Sequence, residues 1–128
     1  MSKFNSIKSK PLFQRAFLRD GISQLRYKSI SVRYFVLPTD RATVNCAFIV
    51  SKKQFKKAVA RNRLKRLMRE AFRNNFQPLN GVIDQGENHS YYLFWRFAGS
   101  DMASYAEVET HIKELISRIL KDTSIKTL

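Results

Sequence analysis

The chain has 128 residues, 44% of them hydrophobic, which fits one domain with a real core and excludes a disordered basic tail. Its net charge of +14 at neutral pH is extreme for this size and calls for a polyanion, nucleic acid first and an acidic membrane surface second. No apolar run approaches the ~18 residues of a membrane span, and Cys46, the only cysteine, excludes an internal disulfide and a cysteine-built zinc site. The charge is uneven. Residues 1–73 hold 19 basic and 3 acidic residues, whereas residues 74–128 hold 5 and 7. The first part carries the electrostatic footprint.

Residues 1–8 read as a flexible basic arm without the apolar centre of a signal peptide. With the lone cysteine, this suits a reducing, cytoplasmic setting. Ser9 is placed to cap a first helix, with Pro11 in its first turn and Gly21 as its stop. Leu12, Phe13, Ala16 and Phe17 follow at helical spacing, and Arg15 points elsewhere. Phe13 and Phe17 suit either core packing or an aromatic pair lining a groove where bases stack. Residues 22–28 read as a connector. Ile30, Val32, Tyr34 and Val36 alternate with Ser31, Arg33, Phe35 and Leu37, which is a strand. After a turn at Pro38, Thr39, Asp40 and Arg41, the apolar run Val44–Val50 reads as a second strand, with Cys46 as a small buried hydrophobe. The short connection predicts that these two strands pair as an antiparallel hairpin.

The basic stretch follows. Lys52 to Arg73 contains ten Lys or Arg and one acid, Glu70. Leu64, Leu67, Met68, Ala71 and Phe72 recur on one face of a helix. At about 100° per residue, Asn62, Arg66, Arg69 and Arg73 share the opposite stripe, widened by Arg63 and Lys65. A solvated charged face would mix signs; this one has few partners for its cations. Running the helix back further would put Lys57 and Arg61 on the apolar sector, so it is predicted to begin near Ala58. Lys57 and Arg61 then project from its first turn or past the edge of the sheet, and a helix N-terminus among clustered cations is a natural place for phosphate. Glu70 is expected to pair with Arg66 or Arg73.

Residues 77–90 read as a loop. Residues 91–97 form a third strand, aromatic on both faces. Ser104 and Glu107 make a capping box for a closing helix with Val108, Ile112, Leu115, Ile116 and Ile119 inside. No carboxylate cluster or histidine pair supports protein-based nuclease chemistry. His89 and His111 read as surface histidines. The side chains therefore suggest neither a catalytic residue nor a metal ligand.

The stretch Val50-Ser51-Lys52-Lys53, then Lys57-Ala58-Val59, then Arg61 through Arg73 with its Arg-Asn-Arg element, resembles the signature of the protein component of bacterial ribonuclease P. Phe13-Gln14-Arg15-Ala16-Phe17 resembles that family's first helix, and Ser104-Tyr105-Ala106-Glu107 the start of its last. The resemblance implies one α+β domain spanning residues 1–128. Its fold would be a compact α/β sandwich of order α-β-β-α-β-α, ribosomal-protein-S5-domain-2-like, with a left-handed β-α-β crossover. It implies a subunit of a ribonucleoprotein endonuclease whose catalyst is an RNA that binds Mg²⁺ and removes the 5′ leader from precursor tRNA. The RNA-facing set would be Lys53, Lys57, Arg61, Asn62, Arg63, Lys65, Arg66, Arg69 and Arg73. The leader would lie against Phe13, Phe17, Phe35 and Arg15, and the protein would lower the Mg²⁺ requirement. The implied partners are the catalytic RNA and precursor tRNA, with no membrane and no obligate protein partner. Three departures stand out: Ala47 where a glycine is common, Gln54-Phe55-Lys56 where many members have a glycine, and a longer loop over residues 79–90. The alternative is a general basic RNA-binding module of ribosomal type, which shares the charge but does not account for the aromatic pair.

Overall fold

The computed structural model describes residues 3–18, 22–79 and 89–122. In chain order they form β1 (Asn5–Ser6), α1 (Lys10–Leu18), β2 (Ser23–Tyr27), β3 (Ile30–Pro38), β4 (Val44–Val50), α2 (Ala58–Asn75), β5 (His89–Phe97) and α3 (Tyr105–Lys121). The five strands make one sheet in the order β1-β4-β5-β3-β2. The helices cover its two faces unequally, with α2 and α3 on one side and α1 on the other.

The expected hairpin between β3 and β4 is not formed, because β5 lies between them. It pairs antiparallel with β3, from Ile30 opposite Phe97 to Pro38 opposite His89. It pairs parallel with β4, from Val44 opposite Tyr91 to Val50 opposite Phe97. The physical reason is in the composition of β5. Leu93, Trp95 and Phe97 are buried on one face and Phe94 on the other. Only a central strand with cover on both sides can bury both sets. The β3–β4 connection arches over the start of β5 and is pinned there by Ser90, whose Oγ lies 2.7 Å from Thr39 Oγ1 and 2.8 Å from Thr43 Oγ1.

Residues 22–28 are not a mere connector. Ser23–Tyr27 form an edge strand antiparallel to β3, through a turn in which Lys28 takes a positive φ of 54°. The run is short, and its alternation of Leu25 and Tyr27 inward with Gln24 and Arg26 outward is too brief to register as a strand on its own. The arm is also not free between residues 3 and 8; Met1 and Ser2 lie outside the described residues. Asn5–Ser6 pair parallel with β4, and the Ile7 N–H donates to the Cys46 carbonyl at 2.9 Å. Phe4 packs edge-on against Phe72 at 5.0 Å and Phe76 at 5.4 Å. Two apolar residues, Phe4 and Ile7, outweigh the polar character of the segment.

The larger core sits between the sheet and the helix pair, with Leu64, Met68, Ala71 and Phe72 from α2 and Val108, Ile112, Leu115, Ile116 and Ile119 from α3. Cys46 is buried in it, its thiol pushed up by burial. The smaller core lies beneath α1 and contains Ile7, Ala16, Phe35, Ala47 and Phe94. Helix α3 starts as expected: Ser104 Oγ accepts the Glu107 N–H at 3.2 Å. Among the described residues no helix is long and apolar enough to cross a membrane. The loop expected over residues 77–90 falls mostly on residues 80–88, outside the described set.

His111 is not a surface residue. It is 8% exposed, with Nδ1 3.0 Å from Ser29 Oγ and its ring edge-on to Tyr27. Burial, then the charge of Lys28, lower its pKa, against an opposing pull from Glu107. The unfolded chain, with an ordinary histidine near pH 6.5, therefore binds a proton before the folded one does. Stability contributed by the neutral ring is full above that value and is lost as pH falls. The melting temperature is expected to drop between pH 7 and pH 5. His111→Gln should flatten that part of the profile; an unchanged slope in the variant would assign the loss to other groups.

Candidate nucleic-acid interface

Helix α2 begins at Ala58, as its pattern requires, with Lys57 as N-cap in extended conformation and no side-chain cap bond. One side is bolted to the core. On the other, Asn62, Arg63 and Arg66 are exposed and Lys65 half-buried. None of these four side chains makes a hydrogen bond or ion pair among the described residues. Arg69 lies over the Phe48 ring at 5.7 Å and Arg73 over Phe4 at 5.7 Å. Arg73 also pairs with Glu70 at 2.6 Å, which uses the one acid of the stretch. The arm and β4 thus hold the far end of the stripe in place, and the near end is left with unpaired charge.

Before the helix, residues 51–57 form a folded turn rather than a loose loop. Ser51 Oγ accepts the Gln54 N–H, Gln54 Nε2 donates to the Ala98 carbonyl at 2.8 Å, and Phe55 is buried against Phe97. Lys52, Lys53, Lys56 and Lys57 are all exposed on it. Arg61 departs from the expected role. Its Nη1 donates to the carbonyls of Phe55 and Lys56, each at 2.8 Å.

A second surface lies on the α1 side of the sheet. Phe13 and Phe17 are half-buried and meet the Phe94 ring edge-on at 5.2 and 5.8 Å. Arg33 sits 5.3 Å over Phe17 and donates to the Ala16 carbonyl at 3.1 Å, tying the end of α1 to β3. The register puts Ala47, Phe94, Arg33 and Gln24 in one cross-strand row and Ile49, Arg96, Ser31 and Arg26 in the next. Arg96 and Arg26 are exposed, as is Arg15 on α1. The result is an aromatic shelf beside an open, arginine-bearing strip of sheet. Such a surface can hold single-stranded nucleic acid by stacking and phosphate contact.

Phe35 is on this face but is fully buried, stacked between Tyr92 at 5.4 Å and Phe94 at 5.8 Å. It supports the shelf and presents no free ring face. Tyr92, half-buried and next to it, is the strand aromatic open to a ligand. Residues Arg33, Arg96 and Tyr92 were not singled out from sequence. Their signal was the alternation within β3 and β5, which becomes usable only once the strand order fixes which positions share a row with Phe94. The described residues bring together no group of three or more His, Cys, Asp or Glu that could hold a metal ion.

With this geometry in hand, likeness to known proteins decides the family. The sequence model of the family Ribonuclease P matches residues 1–120. The chain belongs to the ribonuclease P family. It is 30% identical to the ribonuclease P protein component of Porphyromonas gingivalis over 114 residues, 83% of this chain and 82% of that one. It is 46% identical to the component of Nitrosomonas europaea over 68 residues, a match that spans 55% of that protein's length. The ribonuclease P protein of Thermotoga maritima shares the fold, with a TM-score of 0.62 at 22% identity over 89% of this chain and 96% of that one. That of Staphylococcus aureus gives 0.56 at 20% identity, over 93% and 97%. The α+β sandwich implied by the resemblance is thus the fold of this chain, extended by β1 and β2.

Arg33 should hold the ribonuclease P family's first helix in place here. Arg33→Leu removes one charge-assisted hydrogen bond and one ring contact, a loss of about 1–3 kcal/mol. Faster amide exchange confined to α1, with β5 unchanged, is the expected result by NMR. Equal loosening throughout the sheet would make Arg33 an ordinary core contact.

Proposed function

We propose that this chain is the protein subunit of a ribonuclease P ribonucleoprotein, in which an RNA cleaves the 5′ leader from precursor tRNA. The observation that carries the reading is the row of cations on α2 and its preceding turn, where the side chains of Lys53, Lys57, Arg63, Lys65 and Arg66 have no hydrogen-bond or ion-pair partner among the described residues. Family membership supports it. The catalytic RNA would lie along Lys53, Lys57, Asn62, Arg63, Lys65, Arg66, Arg69 and Arg73. The leader would lie on the opposite face of the sheet, against Phe13, Phe17, Tyr92 and Arg15, with Arg26 and Arg96 beside its phosphates.

This division suits the physics of each partner. A folded RNA offers a dense phosphate surface, which a rigid helix of cations matches. A single strand offers base faces, which aromatic rings take without regard to sequence. Mg²⁺ would be held by the RNA, whose phosphates suit a hard cation. The protein's cations offset the repulsion between two RNAs and so lower the Mg²⁺ they need. The setting is cytoplasmic, where precursor tRNA is made in bacteria.

The direct test is cleavage of a precursor tRNA at low Mg²⁺ by a bacterial ribonuclease P RNA, with and without the protein. Accurate 5′ cleavage is expected only with both present. Cleavage by the protein alone, or RNA binding with no rescue by its cognate RNA, would overturn the reading. Arg66→Ala should reduce the slope of log affinity for the catalytic RNA against log salt by about 0.7 to 1. Phe17→Ala should cost about 1–3 kcal/mol in binding precursor tRNA and leave mature tRNA unaffected, as measured by competition titrations. Equal losses on both would return Phe17 to core packing.

A further inference from the structure

Arg61 opens the Arg-Asn-Arg element, yet its guanidinium turns away from the exposed stripe. Its Nη1 bridges the carbonyls of Phe55 and Lys56, and its own N–H donates to the Lys57 carbonyl at 3.2 Å. The side chain is half-buried. We propose that Arg61 is a positioning residue: it holds residues 51–57 in one conformation, so that Lys52, Lys53, Lys56 and Lys57 meet RNA as a group, and it does not itself touch the RNA. This rests on the reading that α2 and its preceding turn face the catalytic RNA.

The turn needs such a clamp. Residues 51–57 hold four lysines and no acid. Four like charges within seven residues repel one another over a screening length of about 8 Å, which favours an open chain. The first half is fastened by other contacts: Ser51 to Gln54, Gln54 to the Ala98 carbonyl, and Phe55 in the core. Ala98 is itself fixed, since its N–H donates to the Ser29 carbonyl at 2.7 Å. Nothing comparable among the described residues holds the second half. Lys56 is exposed, and Lys57 begins the helix without a side-chain cap bond. Arg61 alone among the described residues reaches back across that junction. An arginine suits the task because both protons of one planar nitrogen can serve two carbonyls at once.

The test has two parts. In the free protein, R61Q should speed amide exchange at Phe55, whose N–H donates to the Ser51 carbonyl, and at position 61 by at least tenfold. Exchange at Leu64, Met68 and Phe72 should stay as it was. Unchanged protection at both turn amides would overturn the clamp. On the catalytic RNA, R61Q should weaken binding about tenfold in the native background. It should weaken it less than twofold when Lys52, Lys53, Lys56 and Lys57 are all glutamine. Equal losses in the two backgrounds would show that Arg61 contacts RNA directly and overturn the proposal. If the native chain does not bind the RNA at all, the functional reading fails, and the exchange measurement alone decides the clamp. Should R61Q not fold by circular dichroism, R61K, which keeps the charge and gives up the planar fork, goes through the same measurements.

Discussion

Strand β5 is hydrogen-bonded on both edges, to β3 on one side and β4 on the other, along nearly its whole length. Most other placements follow from it. Because β4 and β5 are parallel neighbours, the chain between them must cross back over the sheet, and α2 is that crossing. The basic helix therefore lies over β4 and beside β1, where Phe4 and Phe48 pad its last two turns. Because β5 is aromatic on both faces, Trp95 anchors the helix pair while Phe94 anchors α1 one residue away. The two candidate RNA surfaces are thus set on opposite sides of one strand.

The two long helices contrast in their electrostatics. In α3, Ser104 caps the start, Glu107 lies in the first turn, and Arg118 and Lys121 lie in the last. Each agrees with the helix dipole. Helix α2 does the reverse at its start: lysines precede it, no acid occupies its first turn, and its N-cap side chain makes no cap bond. Cations at the positive end of a helix, near free N–H groups, raise the energy of the free protein. A phosphate placed there removes the cost on both counts. Local rules are broken in α2 where the partner is expected to bind, and are kept in α3 where it is not.

Much of this was legible in the chain. The apolar spacing of α2 located its start and its buried face, β4 stood out as a continuous apolar run, and Ser104 with Glu107 marked the start of α3. These are local patterns with a fixed period. What was not legible depended on contacts far apart in sequence. Nothing within residues 30–50 reveals that β5 will insert between β3 and β4. The arm reads as polar until Phe4 and Ile7 meet α2 and β4. Phe35 lies on the α1 side, but its depth is set by Tyr92 and Phe94, which stack on it from another strand. Arg61 reads as one more cation in a basic run, because the sequence does not say which carbonyls lie within reach of its guanidinium.

The departures from the family pattern gain a physical meaning from the same contacts. A glycine in the turn before α2 would add backbone freedom that must be lost on binding. Here Gln54 fastens to Ala98 and Phe55 enters the core, so the turn is ordered before any RNA arrives. Its order depends on Ala98 just past β5, which is held to Ser29; at the next residue, Gly99, a Cβ would lie 3.0 Å from the Phe97 ring and 3.1 Å from Ser29 Cβ. Ala47 is a milder change. It is 7% exposed in the small core beneath α1, and its methyl adds apolar contact where a glycine would leave a gap. Both substitutions exchange backbone freedom for packing. They favour a protein that presents both surfaces already formed, with less ordering entropy to lose when RNA binds.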